Sequence, residues 1–121
     1  HYLHRRQRQM CIRDSFTGAT ASMRGSSGFS AFASAKFGLR AVAQSMAREL
    51  GPKGIHVAHT VIDGAIDHPW IKENFPDIYK LKKKDGILKP DEIAQVYLDL
   101  HHQKKSVWTH EIDLRPYMEK F

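Results

Sequence analysis

The sequence predicts an α/β protein: part of an open parallel sheet, about three strands with helices on its flanks. Three observations carry that prediction. From residue 16 onward strand-like and helix-like segments alternate. IHVAHTVI, residues 55–62, is short, β-branched and apolar in both alternating sets of positions apart from His56, His59 and Thr60, which suits a strand covered on both faces. SAFASAKFGLRAVAQSMAREL, residues 30–50, instead repeats its apolar residues at the helical period.

Taken in order, a strand end is expected around residues 14–19, running into TASMRGSSG, a loop rich in Gly and Ser. In the helix that follows, Ala35, Leu39, Val42, Ala43, Met46 and Leu50 define the expected apolar face, with Arg40, Gln44 and Arg48 on another side. Gly51 and Pro52 stop it. A strand, a helix and a parallel strand make a right-handed crossover. The loop DGAIDHP leads into an irregular aromatic stretch through Tyr79. KPDEIAQVYLDLHHQ then reads as a helix, with Pro90 at its start, acids in its first turn, and Ile93, Val96, Tyr97 and Leu100 on one side. Residues 106–114, SVWTHEIDL, alternate as a last strand.

The 121 residues, 41% hydrophobic and 26% charged, allow one modest core. No apolar run is long enough to span a bilayer, and the single Cys11 supports neither a disulfide framework nor a zinc site, so no membrane partner and a cytoplasmic setting are expected. The eight histidines show no metal-ligand spacing. A net charge of +6 invites an anionic partner, but half of that excess lies in residues 1–15, and the cluster Lys80, Lys82, Lys83, Lys84 reads as a solvated surface. No nucleic-acid partner is expected. Residues 1–15 have no periodicity, and their end, QMCIRDS, resembles translated sequencing-adapter read-through. They are set aside as a non-native or disordered segment, and residues 16–121 are taken as the folded unit.

FTGATASMRG, FASAKFGLRAVAQSMARELGPKGIHV and the DGAID loop together resemble the C-terminal half of a short-chain dehydrogenase/reductase. The resemblance covers residues 16–121, with its specific motifs between Phe16 and Asp67. It implies half of a Rossmann fold, a doubly wound parallel sheet, and NAD or NADP as cofactor. A Gly-rich turn for the pyrophosphate is absent: no G-x-G-x-x-G occurs, and GSSGFS, residues 25–30, follows what would be the fifth strand. The chain is therefore expected to be a fragment with the adenine side missing and an exposed apolar strand edge.

The family chemistry is hydride transfer between the nicotinamide and a small alcohol or carbonyl substrate. A Tyr phenol acts as general acid/base, a Ser holds the substrate oxygen, and a Lys four residues after the Tyr binds the nicotinamide ribose and lowers the phenol pKa. Positions i and i+4 share a helix face, which gives that spacing its reason. Lys36 matches the lysine. Phe32 occupies the tyrosine position, and Phe29 the alternative seven residues ahead, so both phenols are missing. The serine position falls on Ala19, with Thr20 one residue later as the matching hydroxyl and Ser22 as a fallback. In the loop after the second strand, Asp63 and Gly64 replace a Pro-Gly pair, Ile66 takes the place of a residue whose backbone meets the carboxamide, and His68 stands where a Thr is usual.

The resemblance thus implies catalytic positions Lys36, Thr20 and Phe32 and cofactor contacts at Lys36, Gly64 and Ile66. Tyr79, His68 or water are the remaining proton sources. The family also implies a homo-oligomer joined through the long helix. A non-catalytic nucleotide-binding or scaffold protein on the same fold is the alternative.

Overall fold

The computed structural model describes residues 13–121. Three strands form one parallel sheet in the order β1-β2-β3: β1 Arg13–Ala19, β2 His56–Ile62 and β3 Glu111–Leu114. The helix α1, Ser30–Leu50, connects β1 to β2. Two short helices, α2 Pro69–Asn74 and α3 Pro76–Tyr79, and the longer α4, Pro90–His102, connect β2 to β3. This is the partial Rossmann-like α/β architecture that the sequence predicts. β1 takes in Arg13, Asp14 and Ser15, which the sequence had grouped with the opening segment; residues 1–12 lie outside the described residues.

β2 is the spine of the core. All seven of its residues are buried, because β1 and β3 flank it and helices cover its faces. Its register aligns Phe16 with His59 and Ala19 with Ile62 on one side, and His59 with Glu111 and Ile62 with Leu114 on the other. Burying two histidines costs free energy unless their nitrogens find partners. His56 Nε2 bonds the Thr109 carbonyl at 2.7 Å while its ring stacks on Trp108 with centroids 4.8 Å apart. His59 Nδ1 donates to Glu111 Oε2 at 3.0 Å, and Arg40 of α1 donates to the same carboxylate through Nε and Nη2, both at 2.9 Å. That bidentate contact holds the Glu111 carboxyl below its ordinary pKa, mainly through the Arg40 hydrogen bond and less through His59.

The space for the His59 ring comes from Gly18. A Cβ at Gly18 would collide with His59 Nε2, and would also lie 2.6 Å from Ser22 Oγ.

Four details differ from the sequence expectation. In α1 Ala33 and Ala43 are buried and Lys36, Leu39, Arg40, Gln44, Met46, Ala47 and Leu50 half-buried, so Leu39, Ala43, Met46 and Leu50 of the expected apolar face turn inward, whereas Ala35 and Val42 are exposed. Alanines let the helix approach the sheet closely, and the long polar side chains of Lys36 and Arg40 reach strand atoms from the same side. Phe32, Ala35 and Val42 are left facing outward. The last strand begins at Glu111 rather than residue 106, since residues Lys105–Val107 form a 3-10 turn and Gln103 clamps Thr109. Gln103 Oε1 accepts from the Thr109 N–H and its Nε2 donates to Thr109 Oγ1, both at 2.8 Å, so a side chain takes the place of ladder pairing. The edge strand β1 presents Asp14, Ser15 and Thr17 to solvent, so the expected apolar edge is polar. The stretch through Tyr79, expected to be irregular, holds α2 and α3.

In α4 the expected side is the one that turns inward. Leu100 is buried, Ile93, Val96 and Tyr97 are half-buried, and the Tyr97 hydroxyl bonds Thr17 Oγ1 at 2.6 Å.

Candidate functional site

The sequence-selected residues gather where β1 and β2 end. Ala19 and Ile62 are the last registered pair of the two parallel strands, so the chain emerges from both at the same level, with Thr20 directly after one and Asp63 directly after the other. Thr20 Oγ1 donates to Asp63 Oδ1. Asp63 is 5% exposed, and its other carboxylate oxygen lies 3.7 Å from Arg115 Nε. Arg115 also bonds Asp113 at 2.8 Å and lays its guanidinium over the Phe121 ring at 3.8 Å. A cavity of about 230 Å³ opens here, with Thr20, Arg24, Asp63, Asp113, Arg115 and Phe121 in its wall. Asp63 and Arg115 are contributions that family matching alone did not single out. A carboxylate replacing an imino acid was the visible signal for the first.

Lys36 lies in the second turn of α1, and its Nζ donates to the Thr17 carbonyl at 3.2 Å. It also stands 5.8 Å from the centre of the Phe32 ring, one turn earlier on the same face, a distance at which the cation is attracted to the ring. Phe32 itself is 47% exposed and has no proton to exchange. An ammonium has three donors, so one bond to Thr17 leaves donors for the hydroxyls of a sugar. Phe29 precedes the helix and is exposed as well.

The loop after β2 is rigid for identifiable reasons. Gly64 has φ +145°, and a Cβ there would meet Pro116 Cδ at 2.9 Å, so both backbone and space require glycine. Ile66 forms a parallel bridge to Leu88: the Leu88 N–H donates to the Ala65 carbonyl and the Asp67 N–H to the Leu88 carbonyl, both at 2.8 Å. In such a bridge the N–H and carbonyl of the bridging residue point the opposite way, which leaves those of Ile66 directed away from Leu88.

The remaining candidates are held in other structures. Ser22 is fully buried and its Oγ accepts from the Ala19 N–H at 3.0 Å. His68 accepts the Trp70 N–H on Nδ1 at 3.0 Å and so caps α2. Tyr79 lies beneath Lys72 and Lys82, and its hydroxyl accepts from Lys82 Nζ at 3.3 Å. Lys82 also pairs with Asp67 at 2.7 Å, which lowers the Asp67 carboxyl pKa and raises that of the Lys82 amine. Among the described residues no cluster of His, Cys, Asp or Glu has the geometry to hold a metal ion, and no helix is long and apolar enough to cross a membrane.

A short-chain dehydrogenase from Rhodopseudomonas palustris is 47% identical over 93% of this chain and superposes with a TM-score of 0.65. This chain is a relative of the short-chain dehydrogenases. Two further solved structures share the fold at lower identity. A short chain oxidoreductase from Pseudomonas aeruginosa PAO1, described as containing an atypical catalytic center, matches 90% of the chain at 18% identity with a TM-score of 0.71. An alcohol dehydrogenase from Thermococcus sibiricus, complexed with 5-hydroxy-NADP, matches 89% at 22% identity with a TM-score of 0.65. The chain spans 44%, 48% and 43% of these three proteins respectively, less than half of each. No protein-family model and no curated protein matches it.

Proposed function

We propose that the chain belongs to an NAD(P)-dependent oxidoreductase that moves hydride between the nicotinamide and a small alcohol or carbonyl substrate, through a site that has lost the phenol of the Tyr-x3-Lys motif. The observation that carries this reading is Lys36: a lysine in the second turn of the crossover helix of a short-chain dehydrogenase relative, with donors to spare beside the ends of β1 and β2.

The residues present suit the nicotinamide end of the cofactor. Lys36 would hold the ribose hydroxyls, and the outward N–H and carbonyl of Ile66 match the acceptor and donor of a carboxamide. Gly64, packed against Pro116, would set the turn that presents that backbone. The cofactor, when bound, supplies the hydride chemistry. Thr20 would hold the substrate oxygen, and the Lys36 ammonium adds positive charge where an alkoxide develops. Phe32 can only pack. No Gly-rich turn for the pyrophosphate is present in this chain.

The outward stripe of α1, with Phe32 and Val42 about half exposed, supports a homo-oligomer joined helix to helix.

Phe32 also favours a second reading, a nucleotide-binding protein without turnover, because a benzene ring cannot exchange a proton. The experiment that separates the two uses the full-length polypeptide, measuring NADH and NADPH binding and then oxidation against a panel of carbonyls and alcohols. Binding with turnover supports the enzyme, the more so if Phe32→Tyr raises kcat. Binding without turnover supports the second reading, and no binding removes both.

A further inference from the structure

The loss of the phenol leaves the proton of the reaction without a carrier, and the same site has gained a carboxylate. Resting on the oxidoreductase reading above, we propose that Thr20 and Asp63 act together as a proton relay that replaces the missing phenol. Thr20 touches the substrate oxygen, and Asp63 stands behind it as a positioning residue and proton terminus.

Three observations lead there. Two residues 43 positions apart in sequence are joined directly, because the parallel register brings the ends of β1 and β2 to one level. The carboxylate is nearly enclosed and the hydroxyl it accepts from is half-buried, and both line a cavity of about 230 Å³, in which Thr20 is the more accessible of the two to a substrate. The other proton carriers that the sequence offers lie elsewhere: Ser22 is fully buried, and neither His68 nor Tyr79 lines this cavity.

In alcohol oxidation the carbinol C–H bond gives its hydrogen and electron pair to the nicotinamide. The substrate hydroxyl passes its proton to Thr20 Oγ1 as the Thr20 proton moves to Asp63 Oδ1. The C–O bond becomes a carbonyl, Thr20 regains its hydroxyl, and the proton held on Asp63 leaves later to solvent. Carbonyl reduction runs the same path backward. The charged groups that face Asp63 are Arg115, which approaches its second oxygen, Asp113, which shares that guanidinium, and Arg24 in the cavity wall.

The test uses the full-length protein carrying Thr20→Val, Asp63→Asn, both together, or Thr20→Ser. Alcohol oxidation is followed as kcat against pH, and NAD(P)H binding by fluorescence. Each of the first two changes should lower kcat by about 10² to 10³, and the double variant should fall little further, since the pair works as a unit. Thr20→Ser should keep kcat within about tenfold of the parent, because the hydroxyl is retained. The relay predicts an acid-side fall of kcat in the parent that vanishes in Asp63→Asn, while dinucleotide affinity stays within about threefold, as expected for residues acting on the proton alone.

An Asp63→Asn protein with the parent kcat and acid limb overturns the relay and leaves the oxidoreductase reading standing. So does a Thr20→Val protein with parent kcat, a check that does not depend on Asp63→Asn folding. A parent that binds dinucleotide but oxidises no alcohol and reduces no carbonyl overturns both.

Discussion

Replacing Gly18 by Ala should destabilise the protein by about 3 kcal/mol, and the reason is local. The backbone of β1 at this position is ordinary strand, so the cost arises from space alone. The added methyl would collide with His59 Nε2, lie 2.6 Å from Ser22 Oγ and 3.0 Å from His59 Cε1, and both neighbours are fully buried. Forcing a methyl into a packed core costs about 1–3 kcal/mol. If the imidazole swings aside instead, its bond to the Glu111 carboxylate is lost, and hydrogen bonds to charged groups contribute about 1.5–3 kcal/mol.

Urea denaturation of the single and double variants measures this. His59→Ala alone should also destabilise, by opening a cavity and leaving Glu111 with Arg40 only. Combined with Gly18→Ala it should cost less than the sum of the two, with a coupling of about 1 kcal/mol or more, because the second change removes what the first one strikes. A Gly18→Ala cost within about 0.5 kcal/mol of zero, the range of a surface change, would refute the packing account, as would strict additivity in the double variant.

Glu111 should make stability sensitive to acid. Its folded pKa lies below the unfolded one, so its contribution is complete above the ordinary carboxylate range and is lost as pH falls through the lowered folded value; Glu111→Gln should flatten that part of a stability-against-pH curve and cost about 1.5–3 kcal/mol at neutral pH. Placing a charge in the outward stripe of α1, as in Val42→Arg, should lower the oligomeric mass seen by light scattering while leaving the helical circular dichroism unchanged, and an unchanged mass would argue against association through this face.

How far the sequence reveals the molecule depends on how local each feature is. The span of α1 was legible to the residue, since Gly51 and Pro52 fix its end, and the burial of β2 followed from an apolar run with no polar face. The inward face of α1 was legible at Leu39, Ala43, Met46 and Leu50 and misjudged at its edge, because hydrophobicity ranks Val42 above Lys36 and Arg40, whereas their length lets them bond Thr17 and Glu111 from the helix. The last strand was overextended because period-two alternation cannot reveal the clamp by Gln103. Within the site, Lys36 and Phe32 were readable as a linear motif of i and i+4. The pairing of Thr20 with Asp63 was not, since only the sheet register brings them together. The Arg40–Glu111–His59 network escaped for the same reason, each partner coming from a different element.

The central claim is that the Lys36 ammonium holds a nicotinamide nucleotide. The most direct measurement is isothermal titration of NADH and NADPH into the full-length protein and its Lys36→Met variant, which keeps the length of the side chain and removes its donors. Loss of a charged hydrogen bond of about 1.5–3 kcal/mol predicts that the dissociation constant of the preferred nucleotide rises about tenfold or more. Unchanged affinity in the variant would contradict the account.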